Sequence, residues 1–315
     1  MPPLRGWCCS IEKDRKTIMK PSHNISSRLR GCVNAMLSAG FFGLIPLFSI
    51  PVLKTGMPLP SVLIYRFAFG TLFMLIFLVA RRVSLRLRWG DALRLSFLSL
   101  LYTLSGVALF SSYSYMPSGV ATTLLFSYPV FTTLLESLLF HQRMTWPTYA
   151  ALALAVAGVY FLSGFGAKGE SRLAGVLLAV FSGFAYAVYM VAFPRMRIHT
   201  MNSVKVNFYV FFLSMLMLLL YSSFSYGGVA PLADWHSMVC LMLLGLFPTM
   251  VSNVTLVRAL NLIDATTVSV LGAFEPLTAM SVGILVMGEP FTWAVGLGFV
   301  AILAAVMILV AQRRA

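Results

Sequence analysis

Three ionisable residues interrupt long apolar runs in this 315-residue chain: Arg66, Glu136 and Glu275. Each such charge inside a hydrocarbon layer costs about 2.5–3.5 kcal/mol on insertion scales, which makes all three candidates for contact with an ion or a solute. Glu275 directly precedes Pro276 near the middle of its run. A carboxylate there can take a proton or an amino group in turn; its plainer role is to satisfy backbone donors or to pair with Arg66. Arg66, a few residues into its run, can attract a carboxylate or another anionic group. Its plainer role is a structural ion pair, or a side chain reaching for the interface. Glu136 lies near the end of its run, where a rim residue or a partner for Arg143 is the simpler reading.

Uncharged polar residues cluster around these three. Ser105, Ser111, Ser112, Tyr113 and Tyr115, with Ser252, Asn253 and Thr255, can hydrogen-bond a solute, and equally can join helices to one another. Phe126, Tyr128, Tyr186 and Tyr189 suit an apolar or aromatic solute, with core packing as the plainer role. Pro46, Pro129, Pro248 and Pro276 fall within or near run centres, where a missing backbone donor kinks a helix and frees a carbonyl for a solute or water. No metal site is expected: Cys8, Cys9, Cys32 and Cys240 form no CxxC pair, and His141, His199 and His236 lack ligand spacing. No cofactor is expected either, since the chain carries no phosphate-binding GxxxxGK[ST] loop and no G-x-S-x-G or H-E-x-x-H signature.

The elements that must hold these residues follow from composition. The chain is 59% hydrophobic and 10% charged, with a mean hydropathy of +0.89, which requires lipid as solvent. A bilayer core about 30 Å thick needs roughly 20 helical residues per crossing. Spans are predicted at 32–53, 61–80, 95–115, 119–140, 147–163, 173–194, 204–224, 236–257, 265–287 and 293–311. Stretches such as Phe208 to Leu220 are apolar on every face, unlike the alternating strands of a barrel, so the fold class is an all-α membrane protein of about ten helices. With a cytoplasmic N-terminus, 19 of the 23 Lys and Arg residues fall on the inside, against Lys54, Lys168 and Arg172 outside and Arg66 within a span. Both termini are therefore assigned to the cytoplasm. The net charge of +14 belongs to these connections, and the Arg81, Arg82, Arg86, Arg88 run is read as a loop touching anionic headgroups. No basic stripe interleaved with aromatics is present, so the bilayer, not nucleic acid, is the expected partner.

The chain also repeats itself. A shift of 147 residues lays Ser105 on Ser252, Pro129 on Pro276, Thr145 on Thr292 and Trp146 on Trp293. A shift of 144 lays Gly31 on Gly175, Ser38 on Ser182, Tyr65 on Tyr209 and Phe67 on Phe211. The organisation expected is a basic tail over 1–30, a first five-helix unit over 31–163, a Gly-rich linker over 164–172 and a second unit over 173–315. Five spans per unit is an odd number, so the second unit enters the membrane inverted, an arrangement typical of secondary transporters.

On Tyr65-Arg66-Phe67, on Pro129 with its apolar run, and on Glu275-Pro276 followed by Gly288-Glu289-Pro290, the chain resembles the drug/metabolite transporter superfamily and, within it, the ten-helix EamA-domain transporters. The resemblance covers nearly everything from residue 31. It implies alternating-access export or exchange of amino acids, related metabolites or drug-like compounds across a bacterial inner membrane, with the cavity lined by the first four helices of each unit. The first unit departs from the pattern: His141-Gln142-Arg143 stands where the second has Gly288-Glu289-Pro290. Substrate-binding candidates are Glu275, Arg66, Tyr128, Ser105, Ser112, Asn253 and Tyr186. Proton coupling and a homodimer are left open. A polytopic enzyme acting on lipid-linked substrates should show a His, Asp or Glu cluster at one interface, and a scaffold protein should carry a sizeable soluble part; neither feature is present in the sequence.

Overall fold

The computed structural model of the protein describes residues 25–140, 146–162, 170–193, 196, 201–232, 234–263, 268, 271–272 and 274–312. Expectations about the tail before Ile25, residues 163–169, Gln142, Arg143 and the side chain of Glu136 lie outside the described residues. The described residues form helices and connections, with no strand among them. In chain order the helices are α1 (Ile25–Gly43), α2 (Ile45–Lys54), α3 (Leu59–Ala80), α4 (Trp89–Ser112), α5 (Ser118–Leu125), α6 (Tyr128–Phe140) and α7 (Trp146–Leu162). Then come α8 (Glu170–Ala192), α9 (Ser203–Tyr226), α10 (Trp235–Leu244), a π-helical turn (Gly245–Val251), α11 (Ser252–Leu262), α12 (Phe274–Leu285) and α13 (Trp293–Gln312). Residues 25–30, read above as tail, belong to α1.

Among the described residues, seven stretches are long and apolar enough to cross a membrane: Ser27–Lys54, Leu59–Ala80, Trp89–Ser112, Ser118–Leu135, Leu173–Ala192, Val204–Tyr226 and Trp235–Ala259. Shorter apolar helices, Trp146–Gly158, Phe274–Leu285 and Trp293–Ile308, stand where the fifth, ninth and tenth spans were read. Their outward faces remain apolar, as Ile76, Val79, Leu220 and Leu297 illustrate, each more than half exposed. In water such a surface is untenable; in lipid it is the solvated one.

Prolines explain where spans break. Pro46, Pro129 and Pro276 do not bend continuous helices but stand in the first turns of α2, α6 and α12. A first-turn proline sacrifices no hydrogen bond, because the N–H groups there have no intrahelical partner. Pro248 is inside the π-helical turn. The second-unit connections are closed by side chains: Asn202 accepts from Val204 N at 3.0 Å and Asp234 from Ser237 N at 2.9 Å, while Gly227, at φ +71°, ends α9. The Ser237 hydrogen bonds hold the Asp234 carboxyl below the usual carboxylate range.

Packing joins the units through matched elements. Helix α3 packs on α9, α5 on α12, α7 on α13, α1 on α11 and α4 on α8. The contacts repeat residue by residue. Phe67 stacks on its repeat mate Phe211, with centroids 5.7 Å apart and planes 7° from parallel. Tyr65 OH donates to Ala230 O beyond the end of α9, and Tyr209 OH donates to Leu85 O beyond the end of α3, so these two helices run antiparallel. Ser38 and Ser252 exchange hydroxyl-to-carbonyl bonds of 2.9 and 2.8 Å, and their mates Ser182 and Ser105 pair with hydroxyls 3.1 Å apart. A Cβ on Gly31 would meet Leu262 and Ile263, and one on Gly175 would meet Tyr115 and Met116, which are mates of those two. Small residues and reciprocal hydroxyls thus serve as the adhesive where the hydrophobic effect, absent in lipid, cannot.

Candidate functional site

Arg66 sits in the first half of α3 and is 3% exposed. It can be buried because three groups hold it. Its Nε donates to Thr249 Oγ1 at 3.1 Å, and its Cζ lies 5.7 Å from the Phe67 ring centroid and 5.6 Å from that of Phe110. Ring faces are electron-rich, so they partly replace the water a guanidinium loses. Glu275 arrives from the other unit on the first turn of α12, and its own N–H donates to Gly272 O at 2.9 Å. The expected location was near the middle of the ninth span, just before a kink at Pro276; the described helix starts at Phe274, and the carboxylate benefits from the positive end of α12.

Arg66 and Glu275 line one cavity, together with Tyr102, Ser105, Tyr128 and Tyr186, and with Phe42, Ile45, Leu109 and Leu125 as apolar wall. They do not pair with each other: Arg94–Asp91, at 3.0 Å, is the only ion pair among the described residues. The Glu275 carboxylate makes no hydrogen bond among them. The tyrosines form a nested set, with Tyr128 edge-on to Tyr186 at 4.9 Å and Tyr186 stacked on Tyr189 at 5.8 Å. A cavity whose one cation and one anion are unpaired among the described residues, with aromatic walls, suits a small molecule that carries both charges.

Five of the seven predicted binding residues come together here: Glu275, Arg66, Tyr128, Tyr186 and Ser105. The hydroxyl of Ser105 is committed to Ser182, which also donates to Ser105 O at 2.7 Å. Ser112 and Asn253 line a different environment. Ser112 Oγ donates to Leu109 O at 2.6 Å in its own helix, and Asn253 Nδ2 to Thr249 O at 2.7 Å in the preceding π-helical turn, so both satisfy nearby backbone carbonyls. Sequence reasoning missed Tyr102 and Thr249, which lie one turn or less from residues it singled out.

A second cavity lies at the end of α2 and beyond the end of α4 and is bordered by Lys54, Tyr113, Ser114, Ser118 and Glu289. Glu289 closes the start of α5: it accepts from Ser118 N at 2.7 Å, Ser118 Oγ at 2.6 Å and Gly119 N at 3.1 Å. The side chain passes over Gly283, where any Cβ would collide with the carboxylate. Glu289 belongs to the Gly288-Glu289-Pro290 motif, and this cap, joining one unit to the other, is what the motif builds.

The fold and this cavity define a class: helical membrane proteins built from two similar units around a largely apolar pocket that holds two charged side chains. The EamA-like transporter family model matches the chain twice, over residues 29–164 and 173–311, and the chain belongs to that family. The uncharacterized transporter sll1319 of Synechocystis sp. is 28% identical over 207 residues, a match spanning 64% of this chain and 60% of the relative. A protein of known crystal structure superposes with a TM-score of 0.64 at 17% identity, covering 92% of this chain and 98% of the other, and so shares the fold. The chain is accordingly an integral membrane protein of a transporter family.

Proposed function

We propose that this protein is a secondary transporter that moves a small zwitterionic metabolite of amino-acid type across the bacterial inner membrane. One observation carries the reading: Arg66 and Glu275 face a shared cavity, each contributed by a different unit, and neither neutralises the other. A solute with a carboxylate and an ammonium group completes both, and its apolar part fits against Tyr128 and Tyr186. Glu275 exchanges the ammonium group for a proton when the site empties, which provides the coupling.

Ten spans in two inverted five-helix units, alternately open to the two sides, supply the movement. The antiparallel packing of α3 on α9 supports that inversion. Both termini lie in the cytoplasm, in keeping with the basic loop from Arg81 to Arg88, which is tied to α9 through Lys205 Nζ and Arg86 O at 2.7 Å.

The test is uptake into proteoliposomes of labelled L-amino acids, scored beside their decarboxylated amines and methyl esters. Glu275→Gln, which keeps size but cannot ionise, is expected to insert normally and to lower transport at least tenfold, equivalent to about 1.4 kcal/mol. Wild-type rates and pH dependence in that variant, or equal transport of amines, esters and zwitterions by the native protein, would overturn the reading.

A further inference from the structure

We infer that Thr249 is a positioning residue for Arg66, and that its hydroxyl sets how tightly the site holds the carboxylate of its solute. The inference rests on the proposed role of the cavity and adds a residue of the opposite unit to it.

The argument begins with a missing hydrogen. In an α-helix the carbonyl of Leu244 would accept from the N–H of residue 248, but Pro248 has none. The chain answers with a π-helical turn over Gly245–Val251, and the hydroxyl of Thr249 donates to Leu244 O at 2.9 Å. A threonine hydroxyl has one hydrogen and two lone pairs. With the hydrogen committed to Leu244, Oγ1 can act toward Arg66 only as an acceptor, and it receives Nε at 3.1 Å. Pro248, read from the sequence as freeing a carbonyl for a solute, frees it for Thr249 instead.

The approach is close by design of the sequence. A Cβ on Gly70 would lie 2.7 Å from Thr249 Cγ2, and one on Gly245 would lie 2.6 Å from Phe69 Cβ, so two glycines bring the π turn against α3. A short side chain can then span the gap. Thr249 is fully buried. Because Nε is occupied, the guanidinium is held with its two Nη groups left over, and these make no hydrogen bond among the described residues. They form the end-on fork that receives a carboxylate through two parallel bonds.

Two substitutions separate hydroxyl from shape. Thr249→Val keeps the branched volume and removes the acceptor; Thr249→Ser keeps the acceptor. The probes are L-phenylalanine and phenethylamine, which differ by the carboxylate, titrated into purified protein. Thr249→Val is expected to weaken L-phenylalanine binding about tenfold, the scale of one hydrogen bond to a charged group, with phenethylamine unchanged within twofold. Thr249→Ser should match the native protein for both.

A readout that needs no solute accompanies the titration: the Arg66 Nε–H resonance in isotope-labelled arginine protein, assigned by its loss in Arg66→Lys. Its exchange with water should be slow in the native protein and in Thr249→Ser, and fast in Thr249→Val. Unchanged exchange in Thr249→Val would show that Thr249 does not hold Arg66. Equal weakening of both probes, or failure of Thr249→Ser to restore binding, would reduce Thr249 to a packing residue. Native protein that binds neither probe overturns the zwitterion reading and the selectivity claimed for Thr249, while the Nε–H exchange separately decides the positioning.

Discussion

Replacing Glu289 by alanine should destabilise the protein measurably without touching the central cavity. The carboxylate accepts three hydrogen bonds, two from main-chain N–H groups at the start of α5 and one from the Ser118 hydroxyl. Bonds to a charged group contribute about 1.5–3 kcal/mol each when their loss strands a buried partner. The sum overstates the cost, because the adjoining second cavity admits water to the freed donors. Single helix caps lost to alanine cost about 0.5–2 kcal/mol, and this residue caps while also bridging the two units, so about 2–3 kcal/mol is expected. At roughly 2 °C per kcal/mol for a chain of this size, melting in detergent should fall by about 4–6 °C. Glu289→Gln, which keeps an acceptor oxygen but turns an amide donor toward N–H groups, should lose about half as much.

Gly283→Ala supplies the control, since its Cβ collides with the Glu289 carboxylate. It should be damaging in the native background and nearly neutral once Glu289 is alanine. A melting temperature for Glu289→Ala within 1 °C of native, or additive effects in the double variant, would refute the assignment.

Further outcomes follow from the same geometry. Single cysteines near Trp146 and Trp293, in a protein without native cysteines, should label from opposite sides of the membrane; labelling from one side would end the inverted arrangement. Ser182→Ala and Ser38→Ala should each lower stability by about 0.6–1.7 kcal/mol, and by similar amounts, because the two pairs are repeat mates; chemical denaturation in mixed micelles measures the difference. The Asp234 carboxyl lies below its usual range when folded, so its contribution is present above the unfolded value and fades as pH falls through the folded one. Asp234→Ala should therefore lower melting at pH 7, with the gap to native protein narrowing in acid; a gap that persists below pH 3 would contradict this.

Much of this arrangement was legible in the residues themselves. Arg66 and Glu275 stand out because a charge among apolar neighbours is visible without any structure, and the repeat anchors are contacts in disguise: Gly31, Ser38, Tyr65 and Phe67 meet the other unit where Gly175, Ser182, Tyr209 and Phe211 do. What was illegible depends on rotation about helix axes. Each residue turns a helix by about 100°, so the π-helical turn at Pro248 redirects every side chain after it, and Asn253 ends on backbone instead of in the cavity. Ser112 was equally ambiguous, since a serine that bonds its own helix has the same sequence signature as one that greets a solute. Glu289 was recognised as part of a motif, but its partners Ser118 and Gly119 are 171 and 170 residues away.

The contacts between the units repeat, yet the lining of the cavity does not. Glu275 occupies the place that its repeat mate Tyr128 fills in the other unit, and the mate of Arg66 is the uncharged Val210. The serine pairs and tyrosine pins are thus duplicated, whereas the two charges occur once. In an alternating cycle the inward-open and outward-open frames would be near copies with similar energies, leaving direction to the few unmatched side chains. The cavity has an electrical polarity that its scaffold lacks. A dipolar solute would enter it like a key with one permitted face, keeping that face while the walls exchange roles around it.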